Sequence, residues 1–228
     1  GLLKVLLTKF PAKRSIQDDL ITVLCWSQKH RSALHRFDTI LESERKGMPI
    51  YLLLAVAQSA RALKDFNRSD SLYQAILNRN PNHLIARIGR SLLLLDRGEV
   101  DAGLYKLKRM ETLHPKHTDL LTALEYAFSL KKDAIMTLFY LQKRLDIETH
   151  DISLIRKWLY RMSEIGAVSL ALEKWGNERD LKADGDLYEL LRGNRNAQLI
   201  RWGELIVFRG PEAHRYTDLA LAELDRVL

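Results

Sequence analysis

Cys25 stands a few residues before His30 and His35, so a thiol and two imidazoles share one stretch that reads as a helical hairpin. A thiol beside an imidazole is the arrangement of a nucleophile and its base. On a hairpin the same spacing places a packed thiol next to surface histidines, and we take Cys25 as a buried structural residue. It is the single cysteine of the chain, so an internal disulfide is excluded. His114 and His117 lie three apart in "HPKH" and resemble half a metal site. They flank a turn, and no carboxylate or cysteine cluster completes the set, so no metal and no cofactor is expected. Asp18 and Asp19 invite a paired-carboxylate reading, but both fall where a helix should start and there favour the helix dipole. "NRS" at Asn67 to Ser69 matches a glycosylation acceptor, a pattern short enough to arise by chance. No glycine-rich phosphate loop of either common form is present. These residues do not add up to an enzyme.

Charge points elsewhere. The chain of 228 residues carries a net +7, unevenly: residues 1–117 hold 20 Lys+Arg against 11 Asp+Glu, and residues 118–228 hold 16 against 18. The first half is therefore suited to acidic surfaces. Its basic residues, among them Arg61, Arg68, Arg87, Arg97 and Lys106, are spread over several helices without interleaved aromatics. That pattern is neither a single-strand platform nor a recognition helix, and no nucleic-acid partner is expected. No apolar run approaches the roughly 18 residues of a membrane-spanning helix.

The elements that position these residues are helices in a repeat. Apolar residues recur at spacings of three and four, as in Leu53, Val56, Ala57 and Ala60 or Leu120, Leu121, Leu124 and Ala127. "NPNH" at Asn80 to His83 returns as "HPKH" at His114 to His117, which sets Pro81 and Pro115 34 residues apart. A helix–turn–helix unit of 34 residues is the tetratricopeptide repeat, or TPR. Small residues (Ala57, Ser69, Gly103) should let helices approach, Tyr73 and Leu107 should fill the space between layers, and each proline should end a second helix. The expected fold is all-α: a right-handed superhelix of TPR units spanning 16–49, 50–83, 84–117, 118–151 and 152–185. The stretch before Ile16 reads as the second helix of an earlier repeat, so the chain is expected to begin mid-repeat. Beyond Gly185 the period fails, and residues 186–228 should form extra C-terminal helices that cap the stack.

Stacked TPR units line a groove with their first helices. Counting from each unit's start, the residues expected on that groove are Asp18, Asp19 and Trp26, then Tyr51, Gln58 and Arg61, then Asp119 and Tyr126, and lastly Arg156 and Tyr160.

Three segments, "DDLITVLCWSQKHRSAL", the long central run from Tyr51 to Met110, and "RNAQLIRWGEL" followed by "RYTDLALAELD", extend over nearly the whole chain. In that order they resemble the periplasmic TPR region of the PgaA/HmsH family. Those proteins are outer-membrane porins that export poly-β-1,6-N-acetyl-D-glucosamine (PNAG), a biofilm exopolysaccharide. The resemblance implies a non-catalytic periplasmic scaffold ahead of an outer-membrane β-barrel absent from this chain. It implies docking of the periplasmic PNAG deacetylase and guidance of the polymer to the pore. Partly deacetylated PNAG is cationic, so the basic front half should meet the protein partner. Polymer contact would then fall to Trp26, Tyr126 and Tyr160 as stacking faces, with Asp18, Asp19 and Asp119 receiving ammonium groups. The alternative is a generic TPR adaptor that binds a peptide or a chaperone.

Overall fold

The computed structural model describes residues 14–40, 47–149 and 151–167, with positions 9, 170 and 193. The chain divides into two compact units, Gly1–Lys131 and Lys132–Leu228. In the first lie α1 (Arg14–Trp26), α2 (His30–Asp38), α3 (Ile50–Ala62), α4 (Phe66–Arg79), α5 (Leu84–Asp96), α6 (Val100–Glu111) and α7 (Thr118–Leu130). The second holds α8 (Ala134–Leu145) and α9 (Ile152–Glu164). Among the described residues there is no strand. The protein has an all-helical TPR fold.

The period is visible in the helix starts. First helices α3, α5, α7 and α9 begin at residues 50, 84, 118 and 152, at intervals of 34, and each runs 13 residues. Second helices α4, α6 and α8 begin at 66, 100 and 134, with the same interval. The turn between first and second helix explains the constancy. Lys64, Gly98, Lys132 and Gly166 all have positive φ, at 62°, 86°, 57° and 79°. Around Gly98 the chain closes a Schellman motif: Glu99 N–H donates to the Leu94 carbonyl at 2.9 Å and Gly98 N–H to Leu95 at 3.0 Å. Lys64 and Asp65 repeat it on Arg61 and Ala60. Asp65 and Asp133 then cap the second helices, accepting from the backbone N–H of Arg68 and Met136.

Within the first unit each first helix from α3 on packs against the preceding second helix, and α3 and α5 also against their own. First helices also touch one another, α1 with α3, α3 with α5 and α5 with α7, whereas successive second helices make no comparable contact. The first helices thus form the inner layer and the second helices splay outside it. Small residues set the closeness of the layers. Ser69 Oγ donates to the Ala57 carbonyl at 2.8 Å, and both residues are fully buried. A Cβ on Gly103 would lie 2.6 Å from Leu95 Cδ2. Gly89 faces the Tyr73 ring, where a Cβ would sit 2.2 Å from Cζ. The pattern of small residues read from the sequence included Gly103 but not Gly89, whose partner lies in the preceding repeat.

One edge of the unit carries ties between repeats. Arg97 Nη2 donates to Asn67 Oδ1 at 3.3 Å, and Lys131 Nζ donates to Asp101 Oδ1 at 2.6 Å. The two donors occupy equivalent positions in successive repeats, and so do the two acceptors. In the second unit α8 and α9 close a small core through Leu138, Leu141, Leu145, Leu154, Trp158 and Met162. The continuation of the unit expected to end at Gly185 and the capping helices expected over 186–228 lie outside the described residues, apart from the single positions 170 and 193.

The first hairpin departs from expectation at its start. α1 already includes Arg14, two residues before Ile16, which sets Asp18 and Asp19 beyond its first turn. Asp18 and Asp19 therefore do not serve the helix dipole. Instead Arg14 Nε reaches Asp18 Oδ1 at 2.9 Å, one turn along the same helix.

Candidate functional site

The inner layer is fixed by a polar brace. Arg61, in the last turn of α3, places Nε 2.5 Å from Asp96 Oδ2 and Nη2 3.2 Å from Oδ1. Tyr126 on α7 donates its hydroxyl to the same Asp96 Oδ1 at 2.9 Å. Three successive first helices, α3, α5 and α7, are therefore joined at one carboxylate. A bidentate guanidinium–carboxylate pair is geometrically demanding, and here the Asp96 side chain is only 14% exposed. Burial, then the bond to Asp96 and its charge, push the Tyr126 phenol up. It stays a neutral donor. Tyr73 lies near both charges, and burial raises its hydroxyl to about 12. The brace is satisfied and has no activated group to offer a substrate.

Asp96 was not among the residues singled out from the sequence. A signal for it existed: it is the last residue of α5, where the dipole disfavours an acid, and no base shares that turn. Such a residue needs a cation from elsewhere, and Arg61 supplies it.

The other groove residues separate by exposure. Asp18 is 5% exposed and bound to Arg14, so it is not available to an ammonium group of a polymer, contrary to expectation. Asp19 is exposed and accepts from the Tyr51 hydroxyl at 3.3 Å, which links α1 to α3. Gln58 and Asp119 are exposed. Trp26 at 72% and Tyr51 at 46% are among the most open large side chains of the first unit. Arg61 and Tyr126 share Asp96 and are half-buried. In the second unit Tyr160 is exposed and Arg156 half-buried, on α9. The structure thus assembles Asp19 with Tyr51, and Arg61 with Tyr126, and leaves Trp26, Gln58 and Asp119 presented to the outside.

The residues that invited a catalytic reading are placed differently. His30 Nδ1 lies 3.0 Å from Ser59 Oγ, and Ser59 is also hydrogen-bonded to Cys25. Ser59 is 1% exposed and Cys25 6%, and burial pushes the thiol up. A reactive cysteine needs a lowered pKa and access, and this one has neither. His114 and His117 join no group of three metal-ligating side chains among the described residues. No described helix is long and apolar enough to cross a membrane.

Some of the basic residues of the front half line two hollows. One, of about 740 Å³, lies along α1 and α2 and includes Lys29, Arg31, His35 and Arg36. The other, of about 270 Å³, opens between α4 and α6 with α5 as its floor, and includes Arg87, Arg90, Lys106 and Arg109.

No family model and no curated protein matches the chain. Solved structures do. MamA from Desulfovibrio magneticus RS-1, from residue 41 to its end, superposes with a TM-score of 0.54 at 16% identity, over 76% of this chain and 97% of that one. A tetratricopeptide repeat protein from Parabacteroides merdae ATCC 43184 gives 0.54 at 15% identity, over 96% of this chain and 90% of its own. A double mutant of MamA from strain RS-1 gives 0.52 at 17% identity. At these identities the likeness is one of fold.

Proposed function

We propose that the chain is a non-catalytic scaffold whose inner layer and basic outer side hold partner proteins. The observation that carries this reading is the division of labour on the first helices. Arg61, Asp96 and Tyr126 bind one another and fix the layer, while Trp26, Tyr51, Gln58 and Asp119 stay exposed above it. A fixed backbone under exposed aromatic and polar side chains is suited to recognition, because little order is lost on binding.

In its finer form the scaffold is the periplasmic TPR region of a PNAG export porin. It docks the PNAG deacetylase, helps guide the polymer to the pore, and belongs to an outer-membrane parent. The resemblance of the first and last segments supports this, and so does charge: a basic front half favours an acidic protein over a cationic polymer. Purified PNAG deacetylase should be retained by the immobilised chain at low ionic strength and released at high salt. Absence of retention at low salt would remove the deacetylase from the proposal. Oligomers of partly deacetylated glucosamine should shift the resonances of Trp26 and Tyr51 at millimolar concentration, and silence there would exclude direct polymer contact on this layer.

A further inference from the structure

The geometry points to a carboxylate-binding pocket on the outer side of the first unit, and we propose that it receives a glutamate-rich segment of a partner protein. The proposal rests on the scaffold reading and names the chemistry of one of its contacts.

The hollow of about 270 Å³ between α4 and α6 holds four cations and no acid among its lining residues. Arg90 is spoken for: its Nε lies 2.7 Å from Asp70 Oδ1, and its Nη1 donates to Gln74. Arg87, Lys106 and Arg109 have no carboxylate within ion-pair distance among the described residues. Three cations in one concavity repel one another, an arrangement that an arriving anion relieves. Lys106 and Arg109 are exposed on α6 and Arg87 is half-buried on α5, so their heads are open to solvent yet come from two different helices.

The remaining wall selects the kind of anion. Leu77, Pro81 and Met110 give the hollow an apolar side. A glutamate side chain matches both features, with two methylenes for the wall and a carboxylate for the guanidinium forks. The hollow, of about 270 Å³, is wide enough for a glutamate side chain with bridging water. A cationic or neutral sugar has no negative charge to place there. The pocket is on the opposite side of α5 from the Asp96 brace, so an acidic segment bound there leaves the inner layer free.

The test is calorimetry of the full chain with a capped hexaglutamate peptide at low ionic strength, with hexaglutamine and inorganic phosphate as the other titrants. Binding of hexaglutamate should weaken at least tenfold in Arg87→Gln/Lys106→Gln/Arg109→Gln. A second variant, Lys29→Gln/Arg31→Gln/Arg36→Gln, removes the same charge from the other hollow and should change binding less than threefold. The exposed pair Lys106→Gln/Arg109→Gln, which leaves the half-buried Arg87 in place, should show an intermediate loss with an unchanged circular dichroism spectrum. Equal weakening in both triple variants would reduce the effect to net charge and overturn the pocket. Displacement of the peptide by equimolar phosphate would make it a small-anion site, and no binding of hexaglutamate would end the proposal. If the deacetylase binds the pocket variant as well as the parent chain, the deacetylase is not the partner that fills the pocket, and the docking role stands. If hexaglutamate binds and the deacetylase does not, the pocket stands and that partner is wrong.

Discussion

Arg61 and Asp96 meet across a repeat boundary through two nitrogen–oxygen pairs, at 2.5 and 3.2 Å. Neither residue has its partner within its own repeat. With Tyr126 added, the contact converts three consecutive first helices from neighbours in van der Waals contact into a hydrogen-bonded set. The stiffness of the inner layer is therefore a property of the array and not of any one hairpin.

Asp96→Asn should destabilise the chain by about 1–3 kcal/mol, because a half-buried Arg61 loses its counter-charge. Tyr126→Phe removes a single donor and should cost about 0.5–1.5 kcal/mol. The double variant should lose less than the sum of the two, since both act through the same carboxylate. Urea unfolding of the four proteins provides the cycle, and strict additivity would mean that the brace is not a unit.

Tyr73 gives an alkaline signature. Its phenol is raised from 10 to about 12 in the folded chain, chiefly by burial. A group with a raised folded pKa contributes stability that is complete below its unfolded value, and loses it as pH climbs through the folded one. Stability should fall by about 3 kcal/mol between pH 10 and 12 from this residue. Tyr73→Phe should flatten that part of the curve relative to the parent, as read by urea midpoints across the range.

The left-handed turn residues separate two kinds of substitution. Lys64 has φ of 62°, a conformation in which a side chain costs about 1 kcal/mol, so Lys64→Gly should raise stability by about that amount. Gly98, at 86°, should respond in the opposite sense to Gly98→Ala. No atom lies within 4 Å of a Cβ built on Gly98, so any loss there reports backbone strain, less the gain from a stiffer unfolded chain, and no steric clash. Thermal midpoints of the two variants should move in opposite directions.

Cys25 should react slowly with thiol reagents at pH 8. It is 6% exposed and burial pushes its thiol up, so thiolate and access are both scarce. In denaturant the rate should rise to that of a free peptide thiol. A fast reaction in the folded chain would show that the α1–α2 hairpin opens readily.

The fold was legible because the TPR period is written twice over, in the proline-ended turns and in the small residues that helices need to approach. Helix starts at residues 50, 84, 118 and 152 follow from that register without any knowledge of contacts. The candidate surface was legible only in part. Counting along a helix assigns Arg61 and Tyr126 to one face, but it cannot show that both heads converge on Asp96, which lies 35 and 30 residues away from them. Asp18 was misplaced because α1 already includes Arg14, four residues before it, whose guanidinium takes its carboxylate. The pairing of Lys131 with Asp101 was hidden for the same reason as Asp96: a charge on a repeat's edge looks solvated until the next repeat is set beside it.

The edge ties carry a further consequence. Arg97 with Asn67, and Lys131 with Asp101, use one spacing at equivalent positions. Duplicating the whole unit from Leu84 to His117, which carries both the donor Arg97 and the acceptor Asp101, would leave Arg97 of the copy one repeat from Asp101 of the original at the new junction. An insertion of any other length would strand both. The reach of such a protein is thus adjustable in fixed steps, as a ruler is, with each junction already specified by the one beside it.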